Sequence, residues 1–280
     1  MISTLSHLID WIYPPACVAC RVLLPLNESR RFFCARCEGL FDAISEPICG
    51  RCGAPSTGDI RSLPHILSKP DAASCATQYN SSYNPGVEPE NNFATDTLPS
   101  PAACPSCAGK TFLFEKNFAS FIYDDLLREL LHEIKFRDNK RVAAALGHIW
   151  AANCLNFPEN ISEYTLVPMP MHPKKQRERG FNQADLLAAP LAAALKIPVS
   201  KVLRRTVDTP PQSEIHPSQR AENVRGVFEV CKKFQTNEKK FILADDIFTT
   251  GASLNECVRV LIKSGAKQVL CMTLAISVKN

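Results

Sequence analysis

The stretch Phe241-Ile-Leu-Ala-Asp-Asp-Ile-Phe-Thr-Thr-Gly-Ala-Ser253 decides the reading of this 280-residue chain. Its four leading apolar residues have the character of a strand buried in a parallel sheet. Asp245 and Asp246 follow at the C-terminal end of that strand, where open α/β sheets bind their ligands. Thr249, Thr250, Gly251, Ala252 and Ser253 then form a tight turn into a helix whose apolar face is Leu254, Cys257, Val258, Leu261 and Ile262. A helix N-terminus presents unpaired N–H groups and a partial positive charge, which suits a phosphate. Gly251 lets the backbone close in, the hydroxyls add donors, and the two acids can accept hydrogen bonds from sugar hydroxyls. A buried strand with a Thr or Asp cap would account for one acid and one threonine. It would not account for two acids, two threonines, a glycine and a serine in this order. A Walker A loop is excluded, because Gly109-Lys110-Thr111 resembles its tail but Cys104 stands where its first glycine is required.

Working outward, residues 117–123 read as a strand, and Leu126, Leu127, Leu130, Leu131 and Ile134 follow at helical spacing. Residues 141–155 form an Ala-rich helix candidate, 164–167 a short strand and 182–195 a helix bent at Pro190. The strand at 241–244, the helix at 252–263 and the strand at 268–276 complete the series. Strands alternating with helices predict an α/β domain with a mostly parallel sheet and helices on both faces.

Four Cys-x-x-Cys pairs stand N-terminal to this domain: Cys17/Cys20, Cys34/Cys37, Cys49/Cys52 and Cys104/Cys107. Two residues between cysteines let both sulfurs of one turn reach a metal, and two such knuckles complete a tetrahedron. Eight thiolates therefore predict one or two structural zinc ions. Sequential grouping, the first two pairs on one zinc and the last two on the other, is the preferred arrangement; interleaved pairing stays open at this level. A redox dithiol is the alternative for a single pair, and four pairs flanked by Gly50 and Gly53 speak against it. Cys257 and Cys271 lie among apolar neighbours and read as small core residues. Residues 54–103 hold seven Pro, seven Ser, four Asn and four Thr without apolar period, the composition of a disordered insertion. The expected organisation is a zinc-ribbon module at 1–53 and 104–110, the insertion at 54–103, and the α/β domain at 111–280.

The chain is 45% hydrophobic and 21% charged, ordinary for a globular protein, and its formal charge of +4 does not by itself argue for nucleic acid. Residues 171–240, however, carry 14 Lys and Arg against seven Asp and Glu, which suits an anionic ligand or partner as well as a solvated surface. The first 16 residues contain no Lys or Arg and are too short to span a bilayer, so they read as an amphipathic helix packed on a cytoplasmic protein.

The acidic phosphate-loop segment resembles the signature of the type I phosphoribosyltransferases, which bind 5-phosphoribosyl-1-pyrophosphate (PRPP). The whole chain is similar to the ComF family of competence-related proteins. The Cys-x-x-Cys module, Lys135-Phe136, Val167-Pro-Met-Pro170, Arg179-Gly-Phe-Asn-Gln-Ala184, Gln212, Arg220-Ala-Glu-Asn223 and Asp245-Asp-Ile-Phe-Thr-Thr-Gly251 fall in that family's order. The resemblance implies a type I phosphoribosyltransferase-like fold behind a zinc ribbon. It implies that Asp245 and Asp246, the candidate catalytic acids, hold the ribose hydroxyls, and that Thr249, Thr250, Gly251, Ala252 and Ser253 hold the 5-phosphate. The pyrophosphate would lie on residues 169–183, with Arg177, Arg179 and Asn182 as contacts. Residues 203–225, with Arg204, Arg205, Gln212 and Arg220, would form a mobile loop closing over the ligand. Mg²⁺ would enter with the pyrophosphate.

Two functions follow from the resemblance. As an enzyme, the protein would displace pyrophosphate from PRPP in nucleoside chemistry; His172 is a candidate acid or base, although a plain surface histidine is the simpler reading. As a non-catalytic module in natural transformation, it would bind single-stranded DNA or the competence machinery, with the PRPP site regulatory.

Overall fold

The structure, a computed structural model, describes residues 14–25, 32–45, 48–55, 104–154, 157, 160–209 and 220–278, with backbone only at 220 and 221. The expected N-terminal helix, nearly all of the insertion, Gln212 and the side chain of Arg220 lie outside the described residues.

The main sheet is built from β1 (Asn117–Ile122), β2 (Tyr164–Pro168), β5 (Lys240–Phe248) and β6 (Gln268–Ile276). These four strands are parallel and stand in the order β1-β6-β5-β2. Alternation along each strand sends its side chains to opposite faces. On one face Ile242, Ala244, Leu270, Met272 and Leu274 pack against α2 (Asp125–Arg137), α3 (Lys140–Ala152) and α5 (Gln183–Leu195). On the other, Phe241, Leu243, Val269 and Cys271 pack against α7 (Ala252–Lys263). The parallel α/β expectation is met, and Cys257 and Cys271 are core residues as anticipated, both fully buried.

The Cys34/Cys37 knuckle carries α1 (Ala35–Glu38), and α4 (Pro173–Arg179) lies within residues 169–183, where the pyrophosphate was expected. Its proline at the first helical turn favours the start, and the His172 side chain caps it by accepting from the Lys174 amide. The single loop expected at 203–225 is divided. There β3 (Leu203–Arg205) pairs antiparallel with β4 (Phe228–Val230), and α6 (Arg220–Asn223) lies between them. Strands of three residues give no readable alternation, so periodicity does not reveal them. The helix through Pro190 also runs unbroken from 183 to 195.

Helices α3 and α5 touch at Gly147. A Cβ there would sit 2.9 Å from the Leu187 carbonyl oxygen and 3.0 Å from Pro190 Cγ. A larger residue must push backbone, which resists more than a flexible side chain would. Gly147→Leu is expected to destabilise the protein by about 1–3 kcal/mol, read as a lower midpoint in thermal unfolding with zinc content unchanged.

Candidate functional site

Strand β5 runs through both acids to Phe248, with Asp245 in register with Thr273 of β6. The acids thus lie within a paired strand and not at the start of a loop. Their neighbours differ. Asp246 is only 7% exposed. Its Oδ2 accepts from Lys135 Nζ of α2 at 2.8 Å and from Gln183 Nε2 of α5 at 2.5 Å, and its Oδ1 accepts from the Ile247 amide at 2.9 Å. Asp245 accepts from the Asp246 amide, and, second to their own burial, its negative charge would push the thiols of Cys257 and Cys271 up.

These surroundings push the two carboxyls apart. Burial raises Asp245 well above the usual carboxylate range, and the neighbouring negative charge of Asp246 raises it further. Burial also disfavours the charge on Asp246, but the ammonium and hydrogen bond of Lys135 outweigh it and leave Asp246 below its ordinary value. Burial lowers Lys135 in turn, while the attraction of Asp246 more than offsets this and raises it. The pair is therefore polarised, Asp245 toward its neutral form and Asp246 toward its ionised form.

Beyond Phe248 the chain turns through Thr249 and Thr250 to Gly251, which sits in the left-handed region at φ 76°. A Cβ at Gly251 would lie 2.7 Å from Phe112 and 2.8 Å from Phe248, so glycine is required here by packing as well as by conformation. As the cap of α7, glycine brings no side-chain oxygen to the first-turn amides, while Thr250 Oγ1 reaches the Ala252 amide at 3.4 Å. The acids, the hydroxyl-rich turn and the start of a 12-residue helix are thus contiguous, as the sequence suggested.

The other candidates divide. Arg179 reaches the acids through one intermediary: its Nη1 donates to Gln183 Oε1 at 2.8 Å. Asn182 is a structural cap, its Oδ1 accepting from the Ala184 amide and its Nδ2 donating to the Met169 carbonyl. Arg177 is exposed on α4, and no hydrogen bond ties it to the acids among the described residues. His172, with Nδ1 capping α4, also lies 4.0 Å from Asp208, which sits 3.5 Å from Lys175 and 3.8 Å from Lys174. That cluster docks residues 206–209 against α4. Two surface hollows, one lined by Arg128, Glu129, His132, Glu133 and Arg137 and one around Phe234 and Asn237, lie apart from the acids and include none of the hydroxyl-rich turn. Lys135 and Gln183 stand within the sequence motifs but are not among the expected site residues. Their signal is a lone basic residue at the end of an amphipathic helix and a polar residue opening another, neither of which reveals that both converge on one carboxylate.

The cysteines group sequentially, Cys17, Cys20, Cys34 and Cys37 in one cluster and Cys49, Cys52, Cys104 and Cys107 in the other, with ligand atoms within 4.8 Å. Sulfur–sulfur separations of 3.8 Å (Cys20–Cys34), 3.9 Å (Cys49–Cys107) and 3.6 Å (Cys52–Cys104) test the fit. A tetrahedron with metal–sulfur arms of about 2.3 Å has edges of about 3.8 Å. All eight sulfurs belong to buried residues and fit two zinc sites, each held by four thiolates. The module is joined to the sheet: the Ile44 amide donates to the Ser120 carbonyl and the Ile122 amide to the Asp42 carbonyl, covering the open edge of β1. Gly53 approaches so closely that a Cβ would lie 2.7 Å from the Asn117 carbonyl oxygen, and Asn117 Nδ2 donates to the Cys52 carbonyl.

Two expectations follow. Cys52→Ser should lower bound zinc from two ions per chain to one, measured by metal analysis of purified protein, because each cluster supplies its own four ligands. Lys135→Met should destabilise by roughly 1–3 kcal/mol at neutral pH, the cost of an unpaired buried carboxylate discounted for a lysine side chain 33% exposed. In the wild type the depressed Asp246 contributes stability above the ordinary carboxylate range, lost as pH falls through its lowered value. Without the ammonium, burial lifts Asp246, so the deficit of the variant should shrink between about pH 8 and about pH 5 in denaturant titrations.

Comparisons with known proteins agree with this geometry. A double zinc ribbon domain model matches residues 8–76, stopping short of Cys104 and Cys107, and a phosphoribosyl transferase domain model matches residues 183–279. Competence protein F of Haemophilus influenzae is 27% identical over 177 residues, 61% of this chain and 77% of its own. The DNA utilization protein YhgH of Escherichia coli is 28% identical over 184 residues, 61% of this chain and 78% of its own. Competence protein ComFC of Bacillus subtilis is 29% identical over 156 residues, 55% of this chain and 61% of its own. A solved glutamine phosphoribosylpyrophosphate amidotransferase from Bacillus subtilis overlaps 51% of this chain and 30% of that chain, at 19% identity and a TM-score of 0.33. The chain thus joins a double zinc ribbon, with two four-cysteine clusters closing the sheet edge, to a phosphoribosyl transferase domain, and is similar over most of that length to competence protein F, ComFC and YhgH.

Proposed function

We propose that the protein binds a 5-phosphorylated ribose, with PRPP as the ligand, at the C-terminal end of β5, and that it serves DNA uptake. The observation that carries this reading is the continuity of Asp245 and Asp246 with the turn at Gly251 and the start of α7. The 5-phosphate takes the amides of residues 251–253 with the hydroxyls of Thr249, Thr250 and Ser253. The ribose hydroxyls meet the acids. Asp245, neutral, can both donate and accept, whereas Asp246 is ionised and already engaged on both oxygens. Arg179 and Arg177 face the pyrophosphate, where a guanidinium matches phosphate oxygens. The acids form no carboxylate cage for a metal, since Lys135 takes the place of a cation on Asp246; Mg²⁺ fits as an ion carried on the pyrophosphate oxygens.

Binding without turnover is the favoured form. His172, the candidate acid or base, has its Nδ1 occupied as a helix cap and lies beside Asp208, and among the described residues no hydrogen bond joins a histidine to the acids. The setting in DNA uptake rests on relatives named for competence and DNA utilization. The basic surplus of residues 171–240 supplies backbone contacts for single-stranded DNA on the cytoplasmic side.

Titration calorimetry with PRPP and Mg²⁺ tests the reading. Asp245→Ala and Thr250→Val should each weaken binding by about tenfold or more, through loss of one hydrogen-bonding group in a desolvated site. Wild-type affinity in both variants would overturn it. Release of pyrophosphate from PRPP on addition of a nucleobase would restore the enzyme reading, and salt-sensitive binding of single-stranded DNA without such release is the expected result.

A further inference from the structure

Gln183 is the first residue of α5 and is 9% exposed. Its amide accepts at one end from Arg179 Nη1, at 2.8 Å, and donates at the other to Asp246 Oδ2, at 2.5 Å, the oxygen that also takes Lys135 Nζ. Four side chains from four elements thus form one line: ammonium, carboxylate, amide, guanidinium.

The chemistry of the line selects its third member. Arg179 can only donate and an ionised Asp246 can only accept, so the bridge must accept at one end and donate at the other. A primary amide does this without charge. An ionised Glu would accept from Arg179 but set a second carboxylate against Asp246; a leucine would do neither. Were the bridge absent, Arg179 and Asp246 would be opposite charges with nothing between them, and their direct pairing would withdraw both from a ligand.

The backbone fixes the bridge as firmly as the hydrogen bonds do. Gly180, at φ 75°, ends α4 in the left-handed region and lets the chain fold back, so that Arg179 and Gln183 meet across the turn. Asn182 caps α5 and donates to the Met169 carbonyl, tying the start of the helix to the loop after β2. The Met169 amide in turn donates to the Ala244 carbonyl, two residues before Asp246. The Arg179-Gly-Phe-Asn-Gln183 segment is therefore anchored to β5 by main chain and by side chain.

We infer that Gln183 is a positioning residue that fixes the distance and orientation between Asp246 and Arg179, so that one ligand's ribose and pyrophosphate are met together. This rests on the PRPP reading above and deepens it. Lys135 completes the line by keeping Asp246 ionised and therefore an acceptor for the amide. The charged and titratable groups facing this line are Lys135 from α2, Tyr123 from the end of β1, Asp245 from β5 and Arg179 from α4.

The test compares Gln183→Glu with Gln183→Leu. A protonated Glu reproduces the amide, its carbonyl accepting from Arg179 and its hydroxyl donating to Asp246; an ionised one does not. PRPP affinity in the presence of Mg²⁺ is measured by calorimetry at about pH 8 and about pH 5.5, each variant normalised to the wild type at the same pH. At the higher pH both variants should bind about tenfold or more weakly. At the lower pH the deficit of Gln183→Glu should shrink several-fold while that of Gln183→Leu stays constant. A merely structural glutamine would leave both deficits flat with pH. Deficits equally flat in both variants, or wild-type affinity in Gln183→Leu, would overturn the inference while leaving the PRPP reading intact. No binding of PRPP by the wild type would sink both. Zinc content checks that each variant has folded, and should Gln183→Leu fail to fold, the pH profile of Gln183→Glu decides alone.

Discussion

A charged carboxylate that is 7% exposed and lies against the end of a parallel strand is the constraint around which this molecule is arranged. An ion in that position is costly unless it is paired and hydrogen-bonded. Asp246 meets the requirement by drawing Lys135 from one helix and Gln183 from another onto the same oxygen. Its neighbour cannot be ionised at the same time, because two carboxylates in one low-dielectric site repel, and Asp245 is accordingly shifted toward its neutral form. One pair of identical residues thereby acquires two chemical characters, an acceptor held rigid and a group able to donate as well as accept.

The helices that supply Lys135 and Gln183 are themselves placed by packing. Helix α5 lies close to α3 because Gly147 presents no side chain where the carbonyls of Leu186 and Leu187 approach. Helix α2 is registered on the sheet by Leu127, Leu130, Leu131 and Ile134, all buried. The position of Lys135 at the end of that row follows from the row. The two zinc clusters belong to the same scheme. The first joins the core on the α2–α3 face and the second joins the core on the α7 face. Between them, residues 42–44 complete the hydrogen bonding of an otherwise open strand edge. The metal sites therefore close the sheet at β1, the edge opposite β2.

The segment after β5 illustrates how one residue can satisfy two demands. Gly251 is needed for a left-handed backbone and also because Phe112 and Phe248 crowd its α-carbon. Phe112 precedes β1 and follows the last cysteine pair, so the turn at the head of α7 is shaped partly by the chain leaving the second zinc cluster. Asn255 of α7 strengthens that connection by accepting from the Leu113 amide and donating to the Thr111 carbonyl. The zinc module and the hydroxyl-rich turn are mechanically joined through these few residues.

Much of this was legible in the residues themselves. The run of apolar residues at 241–244, the acids, and the hydroxyl-rich turn are contiguous, so local chemistry and local geometry coincide, and the helix at 252–263 follows from its own periodicity. The Cys-x-x-Cys pairs likewise carry their meaning in their spacing, since two sulfurs of one turn are preset for one metal. What tertiary structure alone decided is which pairs share a cluster and which side chains meet across elements. Cys52 and Cys104 are 52 positions apart yet 3.6 Å between sulfurs. Lys135, Arg179, Gln183 and Asp246 converge from α2, α4, α5 and β5 for the same reason: contact between distant residues is set by how helices pack on a sheet, a property of the whole core that no single segment encodes. The short β3–β4 pair and the helix α4 also escaped the sequence, because elements of three to seven residues are stabilised by their tertiary neighbours more than by any pattern of their own.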